Sequence, residues 1–379
     1  MKIGINEVLI YPRSSGALNR EMAILPEVLK QIETSGGESI VYISGDLDGR
    51  FINQLIGDAK KALPIRTPLP SIPTYQRVLK GISYWPKRIL QDKLDLFHTA
   101  YYPVPRLKIP TVLTVHDVRF VHMPETYRRG RYLFLKVVVP LSFSRVCRII
   151  TISKDTKDDL CYYFKVPDEK IDIVYIPIAA RFKQITNDAI LSAARVKYRL
   201  PTKYILYIGN LEPRKNLNRL IQAYEILLKG YNYKLVIVGK PEWRYSGLFD
   251  RVRRKNLEND ILFTGHVEDD EIPFLYNLAS VFAFPSLHEG FGIPVLEAMA
   301  CGVPVVTSNI SALPEVAGDA AILVNPYDIE SIADGIMKIL KDDCLRKKLI
   351  SKGLSRVKQF NAKDVAIRIF ETYKKALGS

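Results

Sequence analysis

The stretch Pro285-Ser286-Leu287-His288-Glu289-Gly290-Phe291-Gly292-Ile293-Pro294-Val295-Leu296-Glu297-Ala298-Met299-Ala300-Cys301-Gly302-Val303-Pro304 decides how this chain folds. The run before it, Val281–Phe284, is apolar at every position, as a strand buried on both faces is. Gly290 and Gly292 then make a loop in which backbone can approach a ligand closely. Pro294 opens a short helix, because its fixed φ suits the first helical turn. A glycine loop leading into a helix N-terminus is a place where phosphate fits. Glu289 precedes the helix and Glu297 lies within it. Facing one crevice, they would bracket a ligand with phosphate at its middle and hydroxyls at each end, since carboxylates accept strong hydrogen bonds. The plain alternative is a strand–loop–helix with two surface glutamates, and the glycine turn alone does not separate the two.

A second loop repeats the arrangement. Tyr204–Ile208 reads as a strand and Gly209-Asn210-Leu211-Glu212-Pro213-Arg214-Lys215-Asn216-Leu217 as the loop after it. Leu217, Leu220, Ile221, Tyr224, Leu227 and Leu228 then share one helical face, with Gly230 where a C-terminal glycine belongs. Loops at the carboxyl ends of parallel strands are where open α/β sheets bind ligands. Arg214 and Lys215 place two cations there. Arg pairs bidentately with phosphate and Lys acts as a point charge. Held away from water, such cations stabilise the charge developing on a leaving diphosphate. A solvated basic turn reads the same way.

Working outward, short β-branched runs alternate with helix-period segments along the whole chain. In the first half the expected strands are Lys2–Ile5, Ser39–Ile43, Asp95–Thr99, Thr111–Val115, Arg148–Ile152 and Ile171–Ile176. In the second they are Tyr204–Ile208, Lys234–Val238, Ile261–Thr264, Val281–Phe284, Pro304–Thr307 and Ala321–Val324. Alternation of this kind predicts βαβ units and parallel sheets, an α/β fold. A length of 379 residues exceeds one ordinary core, so two domains are expected. The two series meet at about Pro177–Pro201, which is polar and helix-like. The expected division is 1–180, 181–360 and a C-terminal helix, 361–379, that can cross back to the first domain. Asn361 caps that helix, Asp364 is its third residue, and Val365, Ile369, Phe370 and Tyr373 form its stripe.

The first half carries fewer chemical signals. His116, in Thr114-Val115-His116-Asp117, follows a buried strand at its carboxyl end, where a structural hydrogen bond competes with a catalytic role. Asp117 is a helper candidate beside it, with helix capping as its plain reading. His98, after Asp95–Phe97, is a weaker acceptor-side candidate, with a structural role as its plainer reading. Ser14-Ser15-Gly16-Ala17 is a turn that opens a helix or a loop that approaches a ligand. Asp46-Leu47-Asp48 has the form of a metal-binding D-x-D, but its place between Gly45 and Gly49 reads as a turn.

Composition narrows the class. Hydrophobic residues make up 47% and charged residues 25%, as in ordinary globular chains. A formal charge of +15 favours polyanionic partners without choosing among nucleic acid, anionic membrane and phosphorylated substrates. The basic, aromatic stretch Tyr127-Arg128-Arg129-Gly130-Arg131-Tyr132, with Arg77, Lys80, Trp85, Lys87 and Arg88 upstream, fits a membrane surface, a nucleic acid or a solvated face. Cys147, Cys161, Cys301 and Cys344 form no C-x-x-C pair, so a zinc site is not expected and reduced thiols are. The N-terminus reads as a strand rather than a signal peptide, and no apolar run approaches the ~20 residues of a spanning helix. A cytoplasmic protein is expected.

Taken whole, the string from Pro285 to Val306 resembles the donor-site signature of retaining family 4 glycosyltransferases, S-x-x-E-G-F-G-x-P-x-x-E-A-M-A-x-G-x-P-V-V. It continues through Ser311-Ala312-Leu313-Pro314-Glu315-Val316 and Gly318-Asp319-Ala320-Ala321. The likeness is strong over about residues 200–335 and weaker over 1–180. It implies the GT-B fold, two Rossmann-like domains with a nucleotide diphosphate sugar in the cleft between them and no metal or other cofactor. It implies that Glu289 contacts the donor sugar, Glu297 the ribose hydroxyls, and the backbone of Gly290, Phe291, Gly292 and Ile293 the diphosphate. Lys215 matches the diphosphate lysine and Arg214 its neighbour. Many relatives carry Arg where this chain has Asn210, which leaves one phosphate contact either missing or supplied by Arg214. His116 matches a histidine near the reacting end of the sugar, and Gly16 the glycine loop, with one glycine where relatives have two. The His-Asp loop followed by Pro124-Glu125 resembles mannosyltransferase-like members, so GDP-mannose competes with UDP-sugars as donor. The acceptor implied is a glycan or a lipid-linked sugar, with peripheral contact to an anionic membrane preferred over nucleic acid. Two other readings stand beside transfer: a GT-B hydrolase or epimerase of sugar nucleotides, and a non-catalytic sugar-nucleotide-binding partner. The first would turn over donor without acceptor; the second would bind donor without transfer.

Overall fold

A computed structural model describes residues 1–9, 15–45, 49–70, 74–240 and 246–378. The chain forms two compact units, Met1–Ala179 with Phe360–Ser379, and Ala180–Gln359.

The first unit holds strands β1 (Lys2–Glu7), β2 (Glu38–Ser44), β3 (Ala62–Thr67), β4 (Leu96–Thr99), β5 (Thr111–Val115), β6 (Arg148–Thr151) and β7 (Ile171–Ile173). They pair in the order β3-β2-β1-β4-β5-β6-β7, parallel throughout. The second holds β8 (Tyr204–Ile208), β9 (Lys234–Val238), β10 (Ile261–Gly265), β11 (Val281–Phe284), β12 (Val305–Ser308) and β13 (Ala321–Val324). Their order is β10-β9-β8-β11-β12-β13, also all parallel. Both orders turn back on themselves in mid-sheet, between β1 and β4 and between β8 and β11. Crossovers leave in opposite directions from such a switch point, which opens a crevice at the strands' carboxyl ends.

One strand was not anticipated. β3 reads Ala-Leu-Pro-Ile-Arg-Thr, is largely exposed and contains Pro64. Proline removes a ladder donor, which is tolerated at an edge, and β3 is the edge of its sheet.

The C-terminal helix Ala362–Leu377 belongs to the first unit. The side chain of Asn361 accepts the backbone N–H of Asp364 at 2.9 Å and so caps it. Val365, Ile369, Phe370 and Tyr373 pack with Ile24, Val28 and Ile32 of helix Ser15–Thr34 beneath Ile3, Ile5 and Val41 of the sheet. On the sheet's other face Trp85 lies edge-on to Tyr42, ring centres 5.2 Å apart, and beside Phe97 at 5.1 Å.

In the second unit, helix Leu217–Leu227 buries Leu217, Leu220, Ile221, Tyr224 and Leu227. Its end differs from the expectation at Gly230. Leu228 closes the helix in right-handed geometry, and Gly230 is not among the glycines with positive φ. The Gly230 N–H bonds the Leu227 carbonyl at 3.1 Å, so the turn closes without a left-handed residue. Between the two strand series, Asn187 caps helix Asp188–Lys197.

Candidate active site

β8 and β11 are neighbours at the switch point of the second sheet, so their two following loops meet. They are joined through backbone. The Leu287 N–H donates to the Arg214 carbonyl at 2.7 Å, and the Arg214 guanidinium donates to the His288 carbonyl at 3.0 Å. Asn216 is buried in left-handed geometry, φ 60°, a conformation asparagine tolerates better than most residues. Its Nδ2 donates to the carbonyls of Pro285 (3.0 Å) and Pro326 (2.6 Å), fixing where Lys215 leaves the chain.

The charges converge at that junction. Lys215 Nζ lies 2.6 Å from Glu289 Oε1, and an Arg214 guanidinium nitrogen lies 2.7 Å from Glu289 Oε2. The other arm of Arg214 reaches Glu212 at 2.7 Å. The Ser286 hydroxyl donates to Glu289 Oε1 at 2.7 Å. The Lys215 ammonium also sits 4.7 Å from the centre of the Phe284 ring, a favourable cation–π distance. Burial alone would raise the Glu289 pKa, but Lys215 and Arg214 outweigh it and hold the carboxyl at about 2. Burial lowers the Lys215 pKa, against the pull of Glu289. The pair is therefore ionised, and each member makes the other's burial tolerable. Ser311 fixes the Glu289 backbone on both sides, accepting its N–H at 3.0 Å and donating to its carbonyl at 2.6 Å.

The glycine loop ends at Gly292, which has φ +104° and precedes helix Ile293–Ala300 with Pro294 in its first turn. The positive φ is what calls for glycine; a Cβ there would also lie 2.5 Å from Leu313 Cδ2, so that side-chain end would have to shift. One turn into the helix, Glu297 accepts a hydrogen bond from the Tyr276 hydroxyl at 3.0 Å. Burial raises the Glu297 carboxyl to about 7, despite that bond and the nearby charge of Arg181. The site thus holds two carboxylates with opposite behaviour, one permanently ionised and one poised near neutrality.

Of the residues expected from sequence, Arg214, Lys215 and Glu289 come into direct contact, with Gly290, Phe291, Gly292 and Ile293 alongside and Glu297 on the adjoining helix. Asn210 is exposed on the same loop, and its carbonyl accepts from the Tyr207 hydroxyl at 3.4 Å. The remaining candidates lie in the first unit. His116 is half-buried after β5, and burial, with Arg20 and His98 adding to it, lowers its pKa to about 3, so the ring is neutral. His98 has both ring nitrogens engaged, with the Tyr373 hydroxyl at 2.7 Å and Thr114 Oγ1 at 2.8 Å, which is a structural role. Asp117 accepts the Arg119 N–H at 3.0 Å, which closes a turn, but the cap position of helix Arg119–His122 is Val118 and not Asp117, so the expected capping is not seen. Gly16 lies in the first turn of helix Ser15–Thr34, while Ser14 and the Asp46-Leu47-Asp48 sequence lie outside the described residues. Among the described residues no cluster of three His, Cys, Asp or Glu side chains could hold a metal. Sequence reasoning passed over Ser286, Asn216, Ser311 and Tyr276, which position the charged groups. Ser286, Asn216 and Ser311 lie in the motifs read above, and only Tyr276 lies outside them.

The sequence model of the family described as glycosyl transferases group 1 matches residues 193–356, and that of glycosyltransferase family 4 matches residues 27–181. O-antigen chain mannosyltransferase B of Escherichia coli is 33% identical over 75% of this chain and 76% of its own length. The serotype-specific mannosyltransferase WbdA of Escherichia coli is 32% identical over 74% of this chain, which spans 35% of that longer protein. Among solved structures, a sucrose-phosphate synthase from Thermosynechococcus elongatus superimposes with a TM-score of 0.77 at 20% identity, covering 100% of this chain and 99% of the other.

Proposed function

This chain belongs to the glycosyl transferases group 1 and has the GT-B fold; from that premise we propose that it is a retaining transferase that moves mannose from GDP-mannose to a glycan or lipid-linked acceptor. That it is a glycosyltransferase follows from its relatives. The donor sugar is supported by the mannosyltransferase names those relatives carry.

The observation that carries the site assignment is the contact of Lys215 and Arg214 with Glu289 at the sheet's switch point. In the proposed reaction the diphosphate lies against Lys215, Arg214 and the backbone of Gly290–Ile293. The bond from the sugar's C1 to the diphosphate oxygen breaks, and C1 bonds to the acceptor oxygen on the same face. The acceptor's proton leaves with the nucleotide diphosphate. Lys215 and Arg214 neutralise the charge that develops on the leaving group, the work a metal ion does in other transferases. Glu289 orients both cations and accepts hydroxyls of the sugar. Glu297 accepts the ribose hydroxyls. His116, neutral at physiological pH, contributes a hydrogen bond to the sugar and not a positive charge. The first unit supplies the acceptor surface. The protein works on the cytoplasmic side, peripherally on the inner face of the membrane, a placement supported by its +15 charge.

The test is donor-dependent thermal stabilisation followed by transfer. GDP-mannose is expected to raise the melting temperature more than UDP-sugars do, because a ligand stabilises by mass action in proportion to its affinity. Labelled mannose is then expected in a lipid-linked glycan with its anomeric configuration kept, in the presence of EDTA. Donor hydrolysis at the same rate without acceptor would replace transfer with the hydrolase reading.

A further inference from the structure

Two apolar patterns of the first unit end in charge. Along β1 the alternate residues Ile3 and Ile5 belong to the core packed by helix Ser15–Thr34, and the next position on that face is Glu7. On the helix, Ile24 and Leu25 are buried in the same core, and one turn earlier stand Arg20 and Glu21. Glu7, Arg20 and Glu21 are only 5, 7 and 8% exposed. Three charged side chains thus stand where both patterns call for apolar ones, at the carboxyl end of a central strand. Breaks of this kind collect at functional sites.

The charges do not balance. The Arg20 guanidinium is hydrogen-bonded to Glu21, which leaves Glu7 as a surplus carboxyl. Burial and the charge of Glu21 push Glu7 well above the usual carboxyl range, against Arg20 and the Tyr101 hydroxyl. His98 and His116 are held at about 3, chiefly by burial, so neither supplies a second cation. A buried carboxyl without its own counter-charge costs stability, so the fold gains nothing from Glu7.

Polar capacity is also unused. Arg20 Nε is buried with no partner among the described residues. Glu7 Oε2 accepts from the Tyr101 hydroxyl at 3.3 Å, and Oε1 takes no bond among them. Tyr101 also walls a groove of about 390 Å³ with Asn6, Arg77 and Tyr102, and the Tyr102 hydroxyl is itself buried without a partner among the described residues. The residue that holds Glu7 thus stands at the wall of a cavity.

The chemistry narrows the ligand. A carboxylate or phosphate would add a buried anion where the one guanidinium is already engaged by Glu21. An ammonium would meet the like charge of Arg20. A hydroxyl both donates and accepts, so it satisfies Glu7 ionised or protonated, and its oxygen also accepts from Arg20. A hexose carries several hydroxyls on adjacent carbons.

We propose that Glu7 and Arg20 form the subsite for the acceptor's sugar and select an uncharged one, with one hydroxyl bonded to Glu7 Oε1 and a second hydroxyl oxygen accepting from Arg20 Nε. This rests on the transferase reading above and names its acceptor class; the donor residues of the second unit play no part in it.

Full-length protein saturated with GDP is titrated, by saturation-transfer NMR, with the methyl glycosides of mannose, glucose and galactose, each paired with its uronic acid. At least one neutral glycoside is expected to bind, and its uronic acid about tenfold more weakly or worse. Glu7→Leu removes the surplus carboxyl, so its melting temperature is expected to hold or rise while the neutral glycoside's Kd rises about tenfold. A purely structural Glu7 predicts the reverse, a lower melting temperature with Kd unmoved. Glu7→Gln still donates and accepts, and is expected to stay within about threefold of the wild type. Arg20→Lys keeps a charge for Glu21 but loses the Nε–H, and is expected to weaken binding about fivefold. The thermal shift with GDP-mannose is expected to be the same in all four proteins, which separates this subsite from the donor site. Equal binding of the uronic acid, no binding of any neutral glycoside, or wild-type affinity in Glu7→Leu or Arg20→Lys would overturn the proposal. Glycoside binding that follows Glu7 without any mannose transfer would leave the sugar subsite standing and overturn the transferase reading.

Discussion

Lys215 Nζ stands 2.6 Å from Glu289 Oε1, which ties the loop after β8 to the loop after β11 across the switch point of the second sheet. The bond is both structural and chemical. Lys215 and Glu289 are each only 7% exposed, so removing either leaves a buried charge short of its counterpart. Glu289→Gln leaves Lys215 and Arg214 together without their shared carboxylate, and is expected to cost about 3–5 kcal/mol of stability. Lys215→Ala is expected to cost less, because Arg214 still covers Glu289 at 2.7 Å. Both should lower transfer by about a hundredfold or more, the scale for losing a preorganised charge-stabilising group. Urea unfolding and initial rates measured on the same preparations check this order. Near-normal turnover in both variants would remove the site assignment.

The two carboxylates give opposite pH limbs. Glu289 falls from 4.5 to about 2 on folding, so its stabilisation is complete above about pH 4.5 and is lost as pH falls toward 2. Glu297 rises from 4.5 to about 7, so the folded state holds its proton longer, and stability declines as pH climbs from 4.5 through 7. His98 and His116, held at about 3, pull the other way as pH climbs, so the check is a difference: the melting temperature of the wild type relative to that of Glu297→Gln should fall across that window. Donor affinity runs the other way. An ionised carboxylate accepts ribose hydroxyls more strongly, so the donor Kd should improve about tenfold from pH 6 to 8, as the fraction of competent protein rises. Calorimetry that finds the same pH dependence in Glu297→Gln would end the ribose role.

Much of this was legible in the sequence because the signals are local. β8, β9, β11 and β12 are short apolar runs bounded by turns, and burial on both faces of a parallel sheet demands that pattern. β3 was not legible, since an exposed edge strand with Pro64 carries neither alternation nor a continuous apolar run. Arg214, Lys215, Glu289 and Glu297 stood out as charges on loops and a helix beside buried strands. Their direct pairing did not, because Lys215 and Glu289 lie 74 positions apart and only the strand order brings them together. Ser311 and Tyr276 were silent for the same reason: a serine and a tyrosine become positioning groups only through what folds against them.

Gly292→Ala tests the loop rather than the charges. At φ +104° an alanine is strained at about 1–3 kcal/mol, and its Cβ would meet Leu313 Cδ2 at 2.5 Å. The substitution is expected to destabilise the second unit and weaken donor binding by about tenfold, through displacement of the backbone that should face the diphosphate. Adding Leu313→Ala relieves the clash and leaves the dihedral strain. The double variant should therefore recover none of the lost affinity beyond the steric part, read by donor titration. Full recovery would mean that packing against Leu313 alone, and not the left-handed backbone, sets the loop.

Tyr373→Phe tests how the C-terminal helix is held. Tyr373 is fully buried, and its hydroxyl is 2.7 Å from His98 Nδ1. Burial, with Arg20 adding to it, lowers the His98 pKa to about 3, so the ring is neutral, and Nε2 is already engaged with Thr114 at 2.8 Å. Removing the hydroxyl leaves one ring nitrogen without its partner, at a cost of about 1–3 kcal/mol. His98→Phe in addition removes the orphaned nitrogen, so the double variant should lose less than the two single losses added together, the mark of a coupled pair. Thermal unfolding of the four proteins measures that coupling, and the donor-induced shift should be the same in all of them. Additive losses would show that the C-terminal helix is held by its apolar stripe alone.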